Sequence, residues 1–259
     1  MRSVFFLPVY DQAQELPGVL RELRAAPLAC DEILLVNNGS RDGSERLVRE
    51  SGFPFLDLPR NLGIGHGFMH AIDWALAKGF DVFGSMAANG KMLPAEMGRL
   101  LDPIARGEAD WVTGSRFLAG GVSPHLPAFR ERAIPWVGRV AWLATGARVT
   151  DATCGYRAFR LAILRRARFD WHAPWLDGYG FEYYVYAKAL REPALRCLEV
   201  PITMRYPPPG RRYTKIRPVV GWWDMLRPWA VARADGRGFG PETEPAPLPV
   251  PCPRCDPAR

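Results

Sequence analysis

Between residues 3 and 113 the chain alternates short apolar runs with amphipathic stretches of helical period, and this alternation leaves few architectures open. Residues 3–8 read as a strand. Residues 15–26 follow with Leu16, Val19, Leu20 and Leu23 at helical spacing. The strand read at 32–36 is continuously apolar from Ile33 to Val36, as strands buried on both faces are. The pattern then predicts a helix over about 42–51, a strand at 53–58, a loop at 59–67 and a helix at 68–78. A strand at 81–86, a helix at 95–106 and a strand at 110–113 complete the series. Such alternation predicts an α/β fold with a mostly parallel sheet, right-handed crossovers and helices on both faces.

The second half is less regular. Residues 134–147 read as a helix carrying Trp136, Arg139 and Trp142; residues 178–191 read as an aromatic-rich helix, and 195–200 as a strand. Residues 216–234 combine Trp222, Trp223 and Trp229 with basic residues. From residue 235 the chain is rich in Pro, Gly and Glu, and a disordered tail over 235–259 is expected. The expected organisation is one domain over 1–215, an amphipathic Trp/Arg-rich segment over 216–234, and that tail.

No apolar stretch approaches the 18 or so residues needed to cross a bilayer, and the apolar run at 4–9 is too short for a secretory signal. Five cysteines, an odd number, suit a reducing compartment. A cytoplasmic protein is expected, soluble or peripheral on the inner face of a membrane. A net charge of +7 suits phosphate-bearing partners. No nucleic-acid-binding motif accompanies it, so nucleic acid is not an expected partner.

In an open α/β sheet a ligand sits beyond the carboxyl ends of the strands. Four polar turns fall there: Pro8-Val9-Tyr10-Asp11-Gln12, Asn37-Asn38-Gly39-Ser40, Ala87-Ala88-Asn89-Gly90-Lys91 and Gly114-Ser115-Arg116. Each alone is ordinary turn chemistry; the four in this order are more specific. With PRNLGIGHG at 59–67, TDATCGYRAFR at 150–160, GYGFEYYVYAKAL at 178–190 and VPITMRYPPPGRRYTKIRP at 200–218, they resemble a family-2 glycosyltransferase of GT-A fold. The resemblance is to the dolichol- or polyprenyl-phosphate mannosyltransferase branch and covers roughly residues 3–220.

That resemblance implies a GT-A, Rossmann-like sheet and a nucleotide-sugar donor. The donor contacts it implies are Pro8, Tyr10, Asp11 and Gln12, with Asn38 where the family places a base-binding aspartate, and Asn61, Gly63 and Gly65 in a loop beside the donor. It also implies Arg116 near phosphates, Asp151 and Glu182 on the acceptor side, and Arg211, Arg212 and Lys215 gripping a lipid phosphate.

The departures from the family pattern share a sign. The metal-binding Asp-x-Asp is replaced by Ala87 and Asn89, with Lys91 two residues on. A lone amide oxygen is a poor ligand for a hard cation. Donor binding without a metal is therefore expected, with Mg²⁺ or Mn²⁺ as the alternative, and Lys91, with Arg116 as a second candidate, is expected to hold the leaving diphosphate. The bland alternative makes Lys91 a solvated loop residue in an inactive homologue that only binds a nucleotide sugar or lipid phosphate. With a hydroxyl acceptor, Asp151 or Glu182 would serve as general base; an ionised phosphate needs none. Residues 134–147 and 216–229 combine tryptophan with arginine as membrane-surface helices do, although core packing explains the same pattern. His66 and His70 share a helix spacing but lack a third ligand, and the Cys252/Cys255 pair lacks a second pair.

Overall fold

The structure is a computed structural model that describes residues 1–208 and 220–241. Seven strands form one sheet: β1 (Ser3–Val9), β2 (Glu32–Asn38), β3 (Phe55–Leu58), β4 (Val82–Ser85), β5 (Trp111–Ser115), β6 (Arg157–Arg160) and β7 (Cys197–Pro201). Their order is β3-β2-β1-β4-β6-β5-β7. Every strand but β6 runs in one direction; β6 is antiparallel to both β4 and β5. The carboxyl ends of β1, β2, β4 and β5 therefore share one edge, and all four polar turns come together there.

Period-two alternation splits the core. Val4, Phe6, Leu34, Val36 and Phe83 point to one face, under α3 (Ile64–Ala77), α5 (Ala128–Thr145), α7 (Gly180–Arg191) and α8 (Val220–Ala234). Phe5, Leu7, Val9, Ile33 and Leu35 point to the other, under α1 (Leu16–Ala25), α2 (Ser44–Arg49) and α4 (Met97–Ala105). The remaining helix, α6 (Ala162–Arg165), is a single turn after β6.

Strand β6 is the element that sequence reading misses. It is only four residues long and starts and ends in arginine. Arg157 is 2% exposed, and its guanidinium donates to the carbonyls of Cys154, Ala152 and Glu182. A buried arginine satisfied by backbone carbonyls looks like surface in a hydrophobicity pattern.

Three boundaries shift. Helix α3 begins at Ile64, not 68, and takes in part of the glycine loop; α5 begins at Ala128, not 134. The first residues of the expected tail, 235–239, are joined to the domain, and residues 242–259 lie outside the described residues. Lys188 Nζ donates to the carbonyls of Asp235 and Arg237, Tyr184 Oη donates to Asp235 Oδ2 at 2.6 Å, and Phe239 packs edge-on against Phe169. Nor is the described part of the expected segment over 216–234, residues 220–234, separate from the domain. Helix α8 buries Trp229, Met225 and Ala232 against α5 and α7.

Candidate active site

Side-chain oxygens stitch the first two turns together. Asp11 has a positive φ of 46°; its N–H donates to Ser40 Oγ, and its Oδ1 accepts from the Arg41 N–H at 2.8 Å. The Gln12 N–H donates to Ser44 Oγ at 2.8 Å. Asp11 thus also serves as a structural link between the β1 and β2 turns. Pro8 lies inside β1 opposite Val36, and half-buried Tyr10 follows the strand's end.

Asn38, at the end of β2, is 5% exposed. Its Nδ2 donates to Asn61 Oδ1 at 3.2 Å and to the Gly63 carbonyl at 3.0 Å. Asn61 Oδ1 also accepts the Gly63 N–H at 2.8 Å. Asn38 Oδ1 and Gln12 Oε1 are buried and unpaired. Gly63 and Gly65 have a further reason to be glycine. A Cβ on Gly63, whose φ is +108°, would sit 2.2 Å from the Asp177 carbonyl oxygen, and one on Gly65 1.9 Å from that of Leu176. The loop expected beside a donor is packed backbone to backbone against 176–178, joined by Gly65 N–H to Gly178 O and His66 N–H to Asp177 O. His66 Nδ1 reaches Asp177 Oδ1 at 3.2 Å, and the Nε2 atoms of His66 and His70 lie 3.1 Å apart. Among the described residues no group of three or more His, Cys, Asp or Glu side chains is placed to hold a metal ion.

After β4, Ala87 packs with the apolar core, and the Asn89 Oδ1 accepts the Lys91 N–H at 3.3 Å. The Lys91 ammonium lies 5.6 Å from the centre of the Tyr206 ring. Burial, reinforced by Arg130 and then Arg116, pulls its pKa down to about 8, with Glu15 opposing. Lys91 therefore turns inward, into a group of cations. One already engaged amide oxygen amid three cations does not fit a divalent ion.

Arg116 differs from expectation. Its Nε and Nη2 grip Asp151 with two bonds of 2.6 Å; Nη2 also reaches Thr153 Oγ1, and Nη1 reaches Tyr206 Oη and Met204 Sδ. All five N–H donors have partners, and the two side chains are 2% and 0% exposed. Burial works against the charge, but the bonds to Asp151 outweigh it and hold the Arg116 pKa above its usual value. Asp151 is anchored in turn through its N–H to Glu199 Oε1. This corrects two expectations. Arg116 reaches a ligand only through its field, and fully buried Asp151 has no oxygen to offer as general base.

Glu182 lies in the first turn of α7, largely buried, with Oε1 3.2 Å from where a Cβ on Gly155 would stand. Burial raises its pKa and Arg157 pulls it back. Arg130, near the start of α5, was missed because its neighbours Arg132 and Arg139 look equivalent in sequence; both of those are exposed, whereas Arg130 is half-buried beside Lys91. Tyr206, 4% exposed, was missed because nothing in its local pattern marks it. Arg211, Arg212 and Lys215 lie outside the described residues.

Residues 4–168 match the family described as Glycosyl transferase family 2. The chain belongs to that family. This glycosyltransferase is 33% identical over 209 residues to an undecaprenyl-phosphate mannosyltransferase of Micrococcus luteus, covering 78% of this chain and 83% of that one. It is 30% identical to a polyprenol monophosphomannose synthase of Mycolicibacterium smegmatis, covering 78% and 77%. Its GT-A fold is also that of glucosyl-3-phosphoglycerate synthase from Mycobacterium tuberculosis, at a TM-score of 0.62 and 17% identity, over 91% of this chain and 81% of that one.

Proposed function

We propose that this glycosyltransferase moves a sugar from a nucleotide-sugar donor to a polyprenyl phosphate, at a membrane surface, with inversion and without a metal ion. The acceptor class comes from the names of the two bacterial relatives described above. The observation that carries the mechanism is the Lys91 ammonium over the buried Tyr206 ring, near Arg116 and Arg130 and two residues past the positions where the family places its paired carboxylates. A fixed cation beside a developing anion stabilises it most where water is scarce. An oxygen of the lipid phosphate attacks the anomeric carbon, the bond to the diphosphate breaks on the opposite face, and the departing diphosphate keeps the electron pair beside Lys91. The nucleophile is already an anion, so no base is required. Burial favours the neutral form of Glu182, which limits its repulsion of that anion.

The membrane reading rests on α5. Its inner side buries Ile134, Val137 and Ala141, while Phe129, Trp136, Trp142 and Leu143 are 45–64% exposed beside exposed Arg132 and Arg139. Aromatic and basic residues on one outward face suit the headgroup region of an anionic bilayer. Trp223 on α8, a helix packed against α5, is 63% exposed. No helix among the described residues is long and apolar enough to cross a membrane.

The test incubates the full chain with radiolabelled nucleotide sugars and polyprenyl phosphate, with and without EDTA. Organic-soluble label that persists in EDTA supports the proposal. Label that requires Mg²⁺ or Mn²⁺ refutes the role of Lys91, and donor binding with no transfer refutes enzymatic activity.

A further inference from the structure

Backbone contacts and one histidine join the glycine loop to the segment that leads into α7. Gly63 and Gly65 leave no room for a Cβ there. His66, 1% exposed, donates its backbone N–H to the Asp177 carbonyl at 3.1 Å, and its Nδ1 lies 3.2 Å from Asp177 Oδ1. A carboxylate only accepts, so Nδ1 carries a hydrogen. On the other side of the ring, His66 Nε2 lies 3.1 Å from Nε2 of His70, one turn along α3. Two nitrogens at that distance share one hydrogen. An imidazole pair has four ring nitrogens. With two hydrogens it is neutral and with three it carries one charge, and both states keep the shared hydrogen. Four hydrogens would put one on each Nε2, setting N–H against N–H between two cations. The arrangement therefore accepts one added proton and resists a second.

Among the described residues, several charged groups surround this part of α3. Asp177 faces it from the loop, and Asp73 lies further along the same helix, with both its oxygens 3.1 Å from His172 Nε2. Asp224 of α8 lies 3.4 Å from where a Cβ on Gly178 would stand, and Glu182 is in the first turn of α7. Strands β1 and β2 meet the helix with apolar Phe6 and Val36. Asp73 is engaged by His172, so Asp177 is the carboxylate bonded to the pair.

We propose that His66 is a positioning residue that clamps the glycine loop to residues 176–178 through Asp177, and that the proton it shares with His70 makes donor binding fall in acid, where the pair is forced to take a second charge. This rests on the donor-site reading above and deepens it. Parting of the two rings shifts His66, and with it a loop whose backbone is fitted to 176–178 without space to spare. By linkage, whatever favours the clamped loop disfavours the second proton, so proton and donor oppose each other.

The experiment uses the full chain in EDTA, which keeps a metal ion from standing in for the shared proton. The chain has four histidines, His66, His70, His125 and His172, so single substitutions assign their NMR signals. The pair is expected to titrate in two steps. His66→Asn and His70→Ala should each leave the surviving ring with a single step above the lower of the two; midpoints that do not move overturn the shared proton. Calorimetry then measures binding of GDP-mannose, UDP-glucose and ADP-glucose, whose diphosphates keep their charge over this range, at pH 7.5 and pH 5. The natural chain should lose at least about fivefold in affinity for its preferred donor at the lower pH. An asparagine amide can donate to Asp177 as Nδ1 does and does not titrate, so His66→Asn should bind like the natural chain at pH 7.5 and lose less than about twofold at pH 5. His66→Ala should bind weakly at both. Thermal melting accompanies each variant; if His66→Ala does not fold, His66→Asn and His70→Ala carry the test. An acid loss in His66→Asn equal to that of the natural chain overturns the proposal. If no donor binds the natural chain at pH 7.5, the donor-site reading falls, and the histidine titration alone decides the shared proton.

Discussion

If the Lys91 ammonium holds the departing diphosphate, catalysis should fail as that group loses its proton. The pKa of about 8, set mainly by burial, places this loss inside an accessible range rather than near 10.5. The protonated fraction falls from about nine-tenths at pH 7 to about one-tenth at pH 9, so kcat/KM should drop about tenfold between them. The effect belongs to kcat/KM because that parameter reports groups in the unbound enzyme; a bound diphosphate raises the ammonium's pKa, and kcat should stay level to higher pH. Lys91→Arg carries a charge that does not titrate in this range. It should flatten the alkaline limb even if it lowers the overall rate. Lys91→Met should lose about a hundredfold in kcat/KM at pH 7, the scale of removing one stabilising donor from a reacting anion. The assay is initial-rate transfer of radiolabelled sugar across pH 6–10 at constant ionic strength, with thermal melting at each pH. A limb that stays near pH 8 in Lys91→Arg, or a natural chain level to pH 10, would refute the reasoning.

Asp151→Asn leaves Arg116 charged and buried, and should cost about 3–5 kcal/mol of stability, seen as a lower melting temperature. A variant as stable as the natural chain but inactive would return Asp151 to the chemistry. Glu182→Gln should keep most activity towards a lipid phosphate; a loss beyond about a hundredfold would identify Glu182 as a required base. Trp136→Ser combined with Trp142→Ser, on the exposed face of α5, should reduce flotation with anionic vesicles without lowering the melting temperature. Flotation that is unchanged would remove α5 from membrane contact.

Much of the fold was legible because period-two and period-3.6 patterns are local. Leu16, Val19, Leu20 and Leu23 announce α1, and the apolar run of β2 announces a strand buried on both faces. The four polar turns were legible too, since parallel strands must bring their carboxyl ends to one edge. Loss of the Asp-x-Asp could be read directly from Ala87 and Asn89. Pairing is different, because it depends on residues distant in the chain. Strand β6 is hidden by Arg157, whose partners are backbone carbonyls that no side-chain pattern records. Only the fold shows that Arg116 spends its donors on Asp151, 35 residues on, and on Tyr206, 90 residues on, and that Lys91 lies over the ring of that same tyrosine. The sequence by itself determined the architecture and which chemical groups reach the active edge. The tertiary structure alone decided which of those groups are consumed by each other, because a buried charge or amide takes its role from the neighbours that pair with it.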